Sequence, residues 1–273
     1  MTTEPSLLPS FAATVDWLYA GLVRDRHADL GLDAENGLGG RFLYAGELHE
    51  AGSALVVAAN IAGAASLTAS VDIATQKQAI RSGVIDFLVN SLDEALRILK
   101  NEIRKRETVA VCVTRAPEDV EREMLELGVQ PNLLPPGVLD ALRFEDFIAQ
   151  GARQVDPAAA GEGQTVLTWR VDEMPALWLP KLDTEARDCL ASDKSAEAWA
   201  ALRWLHLAPR YMGRLAGESH LLRCHTKAAQ DFVDLVQKQV ASGRLGVAVE
   251  VGLGGRGQTE VHRFLPPVSL EVR

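Results

Sequence analysis

The 273-residue sequence has only three cysteines, Cys112, Cys189 and Cys224, dispersed and without a Cys-x-x-Cys pair. That excludes a small disulfide-framed domain, and an odd number of scattered thiols suits a reducing compartment, so the expected location is cytoplasmic. Basic charge is also scarce: 28 Lys and Arg face 37 Asp and Glu, for a formal net charge of -9. A negative field of this kind repels phosphate backbones and anionic lipid, so neither nucleic acid nor a membrane surface is expected as a partner. Long hydrophobic runs are missing too. The longest low-charge stretch, 54–69, is Ala-rich and interrupted by Asn60, Gly63, Ser66 and Thr68, which suits buried core better than a bilayer span. The N-terminal MTTEPSLLPSF has no basic region leading into an apolar run, so no signal peptide is expected. A Ser-centred elbow, a Walker loop and a paired-carboxylate motif are all lacking, and the catalytic residues stay unassigned.

With 47% hydrophobic and 24% charged residues, the composition is that of a globular protein with one large or two modest domains. Phe11, Val15, Leu18, Leu22 and Val23 recur at helical spacing, which predicts a helix within 8–30. From Arg41 short apolar segments alternate with helices. Strands are predicted at 41–46, 65–71, 84–89, 108–113 and 129–134, with helices at 49–60, 72–83, 91–107 and 118–128. Asp72 and Gly83 mark the start and stop of one helix, and Ser91 with Glu94 forms a capping box on the next. Strands apolar on both faces and alternating with helices predict a Rossmann-like α/β fold, a mostly parallel sheet with helices on both faces.

The remainder reads as a smaller α+β domain. A strand in TVLTWRV is expected to be followed by a turn at Pro175 and an irregular apolar segment. Two long helices at 193–207 and 210–240, separated at Pro209, and a β-hairpin of 245–251 with 260–266 complete it. The expected organisation is an N-terminal helix and connector at 1–40, the Rossmann-like domain at 41–140, a linker at 141–164 and the α+β domain at 165–273.

The order LYAG, a helix, VD at 71–72, QAIRSGVIDF at 78–87, NSLDEAL at 90–96 and ELGVQPN at 126–132 resembles the NAD-binding domain of urocanases, the urocanate hydratases. The resemblance runs from Arg41 to about Leu134. It implies a cofactor site at the C-terminal ends of the strands, formed here by Gly46, His49, Gly52, Ser53, Ser70, Thr114 and Arg115, and the activity it implies is urocanate hydration with NAD. Several positions depart from the family. Where urocanases have a glycine-rich G-x-G-G-x-G-G-A-Q turn, this chain has Gly46-Glu47-Leu48-His49-Glu50-Ala51-Gly52-Ser53-Ala54. A pyrophosphate needs bare backbone N–H groups at a helix N-terminus and no nearby anion. Ser70 replaces the glutamate that would bind a ribose hydroxyl, Thr114-Arg115 replaces a Gly-Asn pair, and Leu134-Pro135-Pro136-Gly137 replaces a polar stretch. NAD is therefore expected to be lost rather than retained. Urocanate hydration uses the cofactor as electrophile, so its loss would remove that activity.

Gly252-Leu253-Gly254-Gly255-Arg256-Gly257 matches G-x-G-x-x-G, but no helix follows it, so the expected structure is a hairpin turn. His220, Cys224 and His225, with His206 upstream, are candidate metal ligands on one predicted helix, but no second cluster completes a tetrahedral site and no metal is expected. Arg203, Arg210, Arg214, Arg223 and Lys227 form a basic stretch that reads mainly as solvated helix faces, with an Arg210–Arg214 carboxylate or phosphate clamp as the alternative. His49 lies between two glutamates in the altered turn, as an exposed loop residue or a new group in an inherited crevice. The functional expectation is a urocanase-like, non-catalytic protein that binds a small-molecule ligand or has a regulatory role. The alternative is a urocanate hydratase-related lyase retaining NAD near Gly46 and Gly52. Assembly as a homodimer through the Trp-rich segment 169–204 is compatible with both.

Overall fold

The computed structural model describes residues 10–24, 37–156, 163–213, 219–255 and 258–267. Contacts divide the chain into two units, one of Thr14–Ala159 with Leu207–Leu215, the other of Met1–Ala13, Ala160–His206 and Ala216–Arg273. Helix α1 (Ser10–Arg24) buries Val15, Tyr19, Leu22 and Val23, the spacing of one helical face.

The first unit then alternates β1 (Phe42–Glu47), α2 (Glu50–Ala62), β2 (Ala65–Ala69), α3 (Ile73–Ser82), β3 (Phe87–Val89), α4 (Leu92–Lys105), β4 (Ala110–Val113), α5 (Pro117–Glu126), β5 (Leu133–Leu134), α6 (Ala141–Ala149) and β6 (Arg153–Gln154). All five strand pairings are parallel, in the order β3-β4-β2-β1-β5-β6. One face packs Phe42, Tyr44, Leu67, Val111, Val113 and Leu134 against Leu92, Leu99, Val120, Met124 and Phe147 of α4, α5 and α6. The alternate strand residues, among them Leu43, Thr68 and Cys112, point to the opposite face, where the apolar α2 packs on β1 and β2. This is the Rossmann-like fold expected from the alternating pattern.

Helix boundaries follow local chemistry. The Asp72 carboxylate accepts the Ala74 and Thr75 amides, Ser91 Oγ accepts the Glu94 amide at 3.3 Å, and Asp140 Oδ1 accepts the Arg143 amide at 3.0 Å. Strand β5 is only two residues long, and Asn132 extends its pairing: its side chain accepts the Phe42 amide while its own amide bonds Phe42 O, both at 2.8 Å. The linker expected at 141–164 is corrected in its first part, because 141–154 form α6 and β6. Phe147 inserts into the core and β6 pairs with β5. Residues 157–162 of that segment lie outside the described residues.

The second unit holds β7 (Gln164–Val171), α7 (Pro175–Leu190), most of α8 (Ala196–Met212), β8 (Ser219–His225), α9 (Thr226–Ala241), β9 (Val249–Gly255) and β10 (Gln258–Phe264). Its sheet is antiparallel, in the order β10-β9-β7-β8, with α9 packed across all four strands. Three sequence expectations change here. The segment after Pro175 is helix α7, with that proline in its first turn, where no N–H is needed. Pro209 does not separate two helices but lies in the last turn of α8. Residues 219–225, expected as helix, form β8, because pairing with β7 outweighs their helical spacing. The expected hairpin is present as β9 and β10, and the G-x-G-x-x-G segment lies on β9 as far as Gly255, with 256–257 outside the described residues.

Candidate functional site

In an open parallel sheet, ligands bind beyond the C-terminal strand ends where the chain's direction across the sheet reverses. Here the chain leaves β1 toward β2, β4 and β3, then returns to β5 and β6 on the other side, so that reversal lies between β1 and β5. The parallel arrangement brings Gly46, His49, Gly52, Ser53, Ser70, Thr114 and Arg115 to this one edge of the sheet, at the ends of β1, β2 and β4 and the start of α2.

Strand β1 ends in a register irregularity between Tyr44 and Glu47. Gly46 has φ +67°, and a Cβ there would lie 2.6 Å from Val138 Cγ1 and 2.9 Å from Val138 O. Its carbonyl accepts a 2.7 Å bond from the buried Thr68 hydroxyl. Gly52, in the first turn of α2, permits another close approach, since a Cβ would come 2.0 Å from Glu47 O. His49 is the N-cap of α2: its Nδ1 accepts the Gly52 amide at 2.9 Å, and its carbonyl accepts the Ser53 amide at 2.7 Å. The acceptor role requires an unprotonated Nδ1. Glu47 and Glu50 stand exposed beside it.

At the end of β2, Ser70 is buried and engaged on three sides. Its amide bonds Val113 O at 3.1 Å, its hydroxyl accepts the Asp72 amide at 3.1 Å, and its carbonyl accepts Gln76 Nε2 at 2.7 Å. The Thr75 hydroxyl, followed by the Ala74 and Thr75 amides, holds the Asp72 carboxyl below its ordinary range. At the end of β4, Thr114 Oγ1 lies 2.9 Å from Asn90 Oδ1 and 3.2 Å from Val89 O, and Arg115 pairs with Glu123 of α5. Beneath this edge the Cys112 thiol is pushed up to about 12 by burial.

Behind β1, Tyr44 OH donates to Glu121 Oε1 at 2.9 Å, and Arg143 Nη1 donates to Glu121 Oε2 at 2.5 Å. Burial and the adjacent Glu121 raise the Tyr44 phenol, while the Glu121 hydrogen bond raises the Arg143 guanidinium. Sequence reasoning missed Val138, Thr68 and Asn90. The only available signals were the departure at Leu134-Pro135-Pro136-Gly137 and a threonine within an apolar strand.

The other candidates do not gather. His220 and Cys224 lie on β8, where four residues span about 13 Å, too far for one ion. Among the described residues no group of three or more His, Cys, Asp or Glu side chains is arranged to hold a metal. Arg203 and Arg210 lie on α8, Arg223 on β8 and Lys227 on α9, with Arg210 over the Tyr211 ring and Lys227 paired with Asp231. Arg214 lies outside the described residues. Among the described residues no helix is long and apolar enough to cross a membrane.

Residues 27–136 match the family described as the Urocanase Rossmann-like domain. The match covers β1 to β5 and every turn at the edge described above, and its residues 27–36 lie outside the described residues. Over residues 27–136 the parallel-sheet core of this chain is accordingly similar to the urocanase Rossmann-like domain.

Proposed function

We propose that the chain is a urocanase-related protein whose Rossmann-like domain no longer holds NAD, and that it acts as a non-catalytic, small-ligand-binding or regulatory protein. The observation that carries this reading is the His49 cap: the Gly52 amide, which would face a pyrophosphate at the start of α2, already donates to His49 Nδ1. Glu47 and Glu50 add negative charge beside that amide, Ser70 has its hydroxyl on the Asp72 amide, and Arg115 is paired with Glu123. The residues at this edge therefore do not fit a dinucleotide, and no reaction step is assigned to one.

The test is to denature the purified protein, look for released NAD by mass, titrate the protein with NAD by calorimetry, and follow urocanate absorbance. The expected result is no NAD, no saturable heat and no urocanate loss. Stoichiometric NAD or urocanate turnover would overturn the proposal in favour of the second reading, an NAD-dependent urocanate hydratase-related lyase of histidine catabolism. That reading is favoured by one observation, the gathering of Gly46, Gly52, Ser53, Ser70 and Thr114 at one sheet edge. Cytoplasmic location and a homodimer belong to the same proposal. The three free cysteines support the first, and native mass by light scattering tests the second.

A further inference from the structure

We infer that the loop between β5 and α6 is a built-in occupant of the crevice over Gly46, and that Val138 is the residue that excludes a dinucleotide from it. The inference rests on the reading above, that NAD is not held. A glycine at the end of the first strand lets a ligand approach the bare backbone. Here that approach is taken by the protein itself, because both a methyl carbon and the carbonyl oxygen of Val138 sit where a Cβ on Gly46 would be crowded, at 2.6 and 2.9 Å.

The loop is anchored on both sides. Before it, Leu133 and Leu134 are buried in β5, and Pro135 and Pro136 restrict the backbone. Gly137 follows with φ +77° and open space around it, turning the chain so that Val138 points back to β1. After it, Asp140 caps α6 and Phe147 is fully buried, while Arg143 reaches Glu121, which also holds Tyr44. Tyr44 and Gly46 are two residues apart on β1, so the plug and the ties that hold its helix act on one strand. His49 covers the start of α2 from its own cap bond, whereas Val138 covers Gly46 from a separate loop fixed at both ends.

The experiment compares wild type, Val138→Ala and Val138→Gly by NAD calorimetry and saturation-transfer NMR, with thermal melts to establish folding. The expected result is no saturable NAD binding by wild type and saturable binding by Val138→Gly, at least about tenfold tighter than the weakest wild-type affinity the titration would detect. A cooperatively folded Val138→Gly that binds no NAD overturns the plug and leaves the NAD-free reading standing. NAD binding by wild type overturns that reading itself. Val138→Ala, which removes Cγ1 with less backbone freedom, carries the same two outcomes if the glycine variant fails to fold.

Discussion

In each unit a buried carboxylate, Glu121 in the first and Asp183 in the second, is held by two donors from other elements, but the donors differ in kind. Glu121, on α5 of the parallel-sheet unit, uses both oxygens, one for the Tyr44 hydroxyl and one for the Arg143 guanidinium. Asp183, on α7 of the antiparallel unit, receives Trp169 Nε1 at 3.1 Å and His220 Nδ1 at 2.7 Å on the single oxygen Oδ1. In the first case a permanent cation balances the buried charge. In the second the sharing donors are an indole and an imidazole, and they tie α7 to the adjacent strands β7 and β8. A buried acid is thus first a tertiary tie, and only what the tie holds in place connects it to a site. Glu121 fastens the helix behind the Val138 loop, while Asp183 fastens the core around Trp169 and Phe232, whose rings lie 5.3 Å apart.

The largest expected effects come from breaking these ties. Arg143→Ala leaves a buried carboxylate with one neutral donor, and Glu121→Ala leaves the buried Tyr44 hydroxyl without its acceptor and the Arg143 guanidinium with only its 3.4 Å contact to Asp140, so each should cost about 3 to 5 kcal/mol in urea unfolding. Asp183→Ala leaves an indole N–H and an imidazole without their acceptor, for an expected loss of about 2 to 3 kcal/mol. Asp183→Asn retains an acceptor oxygen and should recover part of that loss. If Asp183→Ala proves as costly as Glu121→Ala, the distinction between a carboxylate held by a guanidinium and one held by ring N–H donors is wrong.

The two units also differ in how legible they are in the sequence. In the parallel unit, helix starts carry short-range signals: Asp72, Ser91 and Asp140 accept amides two or three residues on, and Gly63 and Gly83 end helices at positive φ. Strand and helix could therefore be placed from local chemistry. In the antiparallel unit the N-caps of α7 and α9 are Met174 and His225, neither with a side-chain cap bond. Adjacent Leu221 and Leu222, both buried, erase the alternation that would have marked β8 as a strand. The candidate site was legible as a place and not as a geometry. Gly46, Gly52 and Ser70 could be assigned to strand ends, but the approach of Val138 to Gly46 joins residues 92 positions apart through strand order, which no local pattern carries.

The thiols sharpen the comparison at alkaline pH. Burial pushes Cys112 in the first unit and Cys224 in the second up to about 12, whereas unfolded thiols ionise near about 8.5. The folded chain then keeps protons that the unfolded chain releases. The stability this contributes is complete below the unfolded value and is lost as pH rises toward the folded one, by about 2 kcal/mol per thiol near about pH 10. Replacing either residue with alanine should flatten that part of the pH–stability curve by a similar amount. A thiol reagent should modify the half-buried Cys189 in the native state and reach the other two only on unfolding.

The smallest effects test whether helix caps account for the difference in legibility. Ser91→Ala removes the acceptor of the Glu94 amide and should lower stability by about 1 kcal/mol. The reverse change is available at α9, where His225 occupies the N-cap with φ -61° and ψ 142°, an extended conformation open to serine, and makes no cap bond. His225→Ser should raise stability by about 0.5 to 1 kcal/mol in chemical denaturation. A gain of that size would mean that α9 forms through tertiary packing of Phe232, Val233 and Val236 despite a missing local signal, which is why sequence reading placed its start incorrectly. No gain would mean that the first-turn amides of α9 already have adequate partners in water, and that the β8–α9 boundary is set by the pairing of β8 with β7 alone.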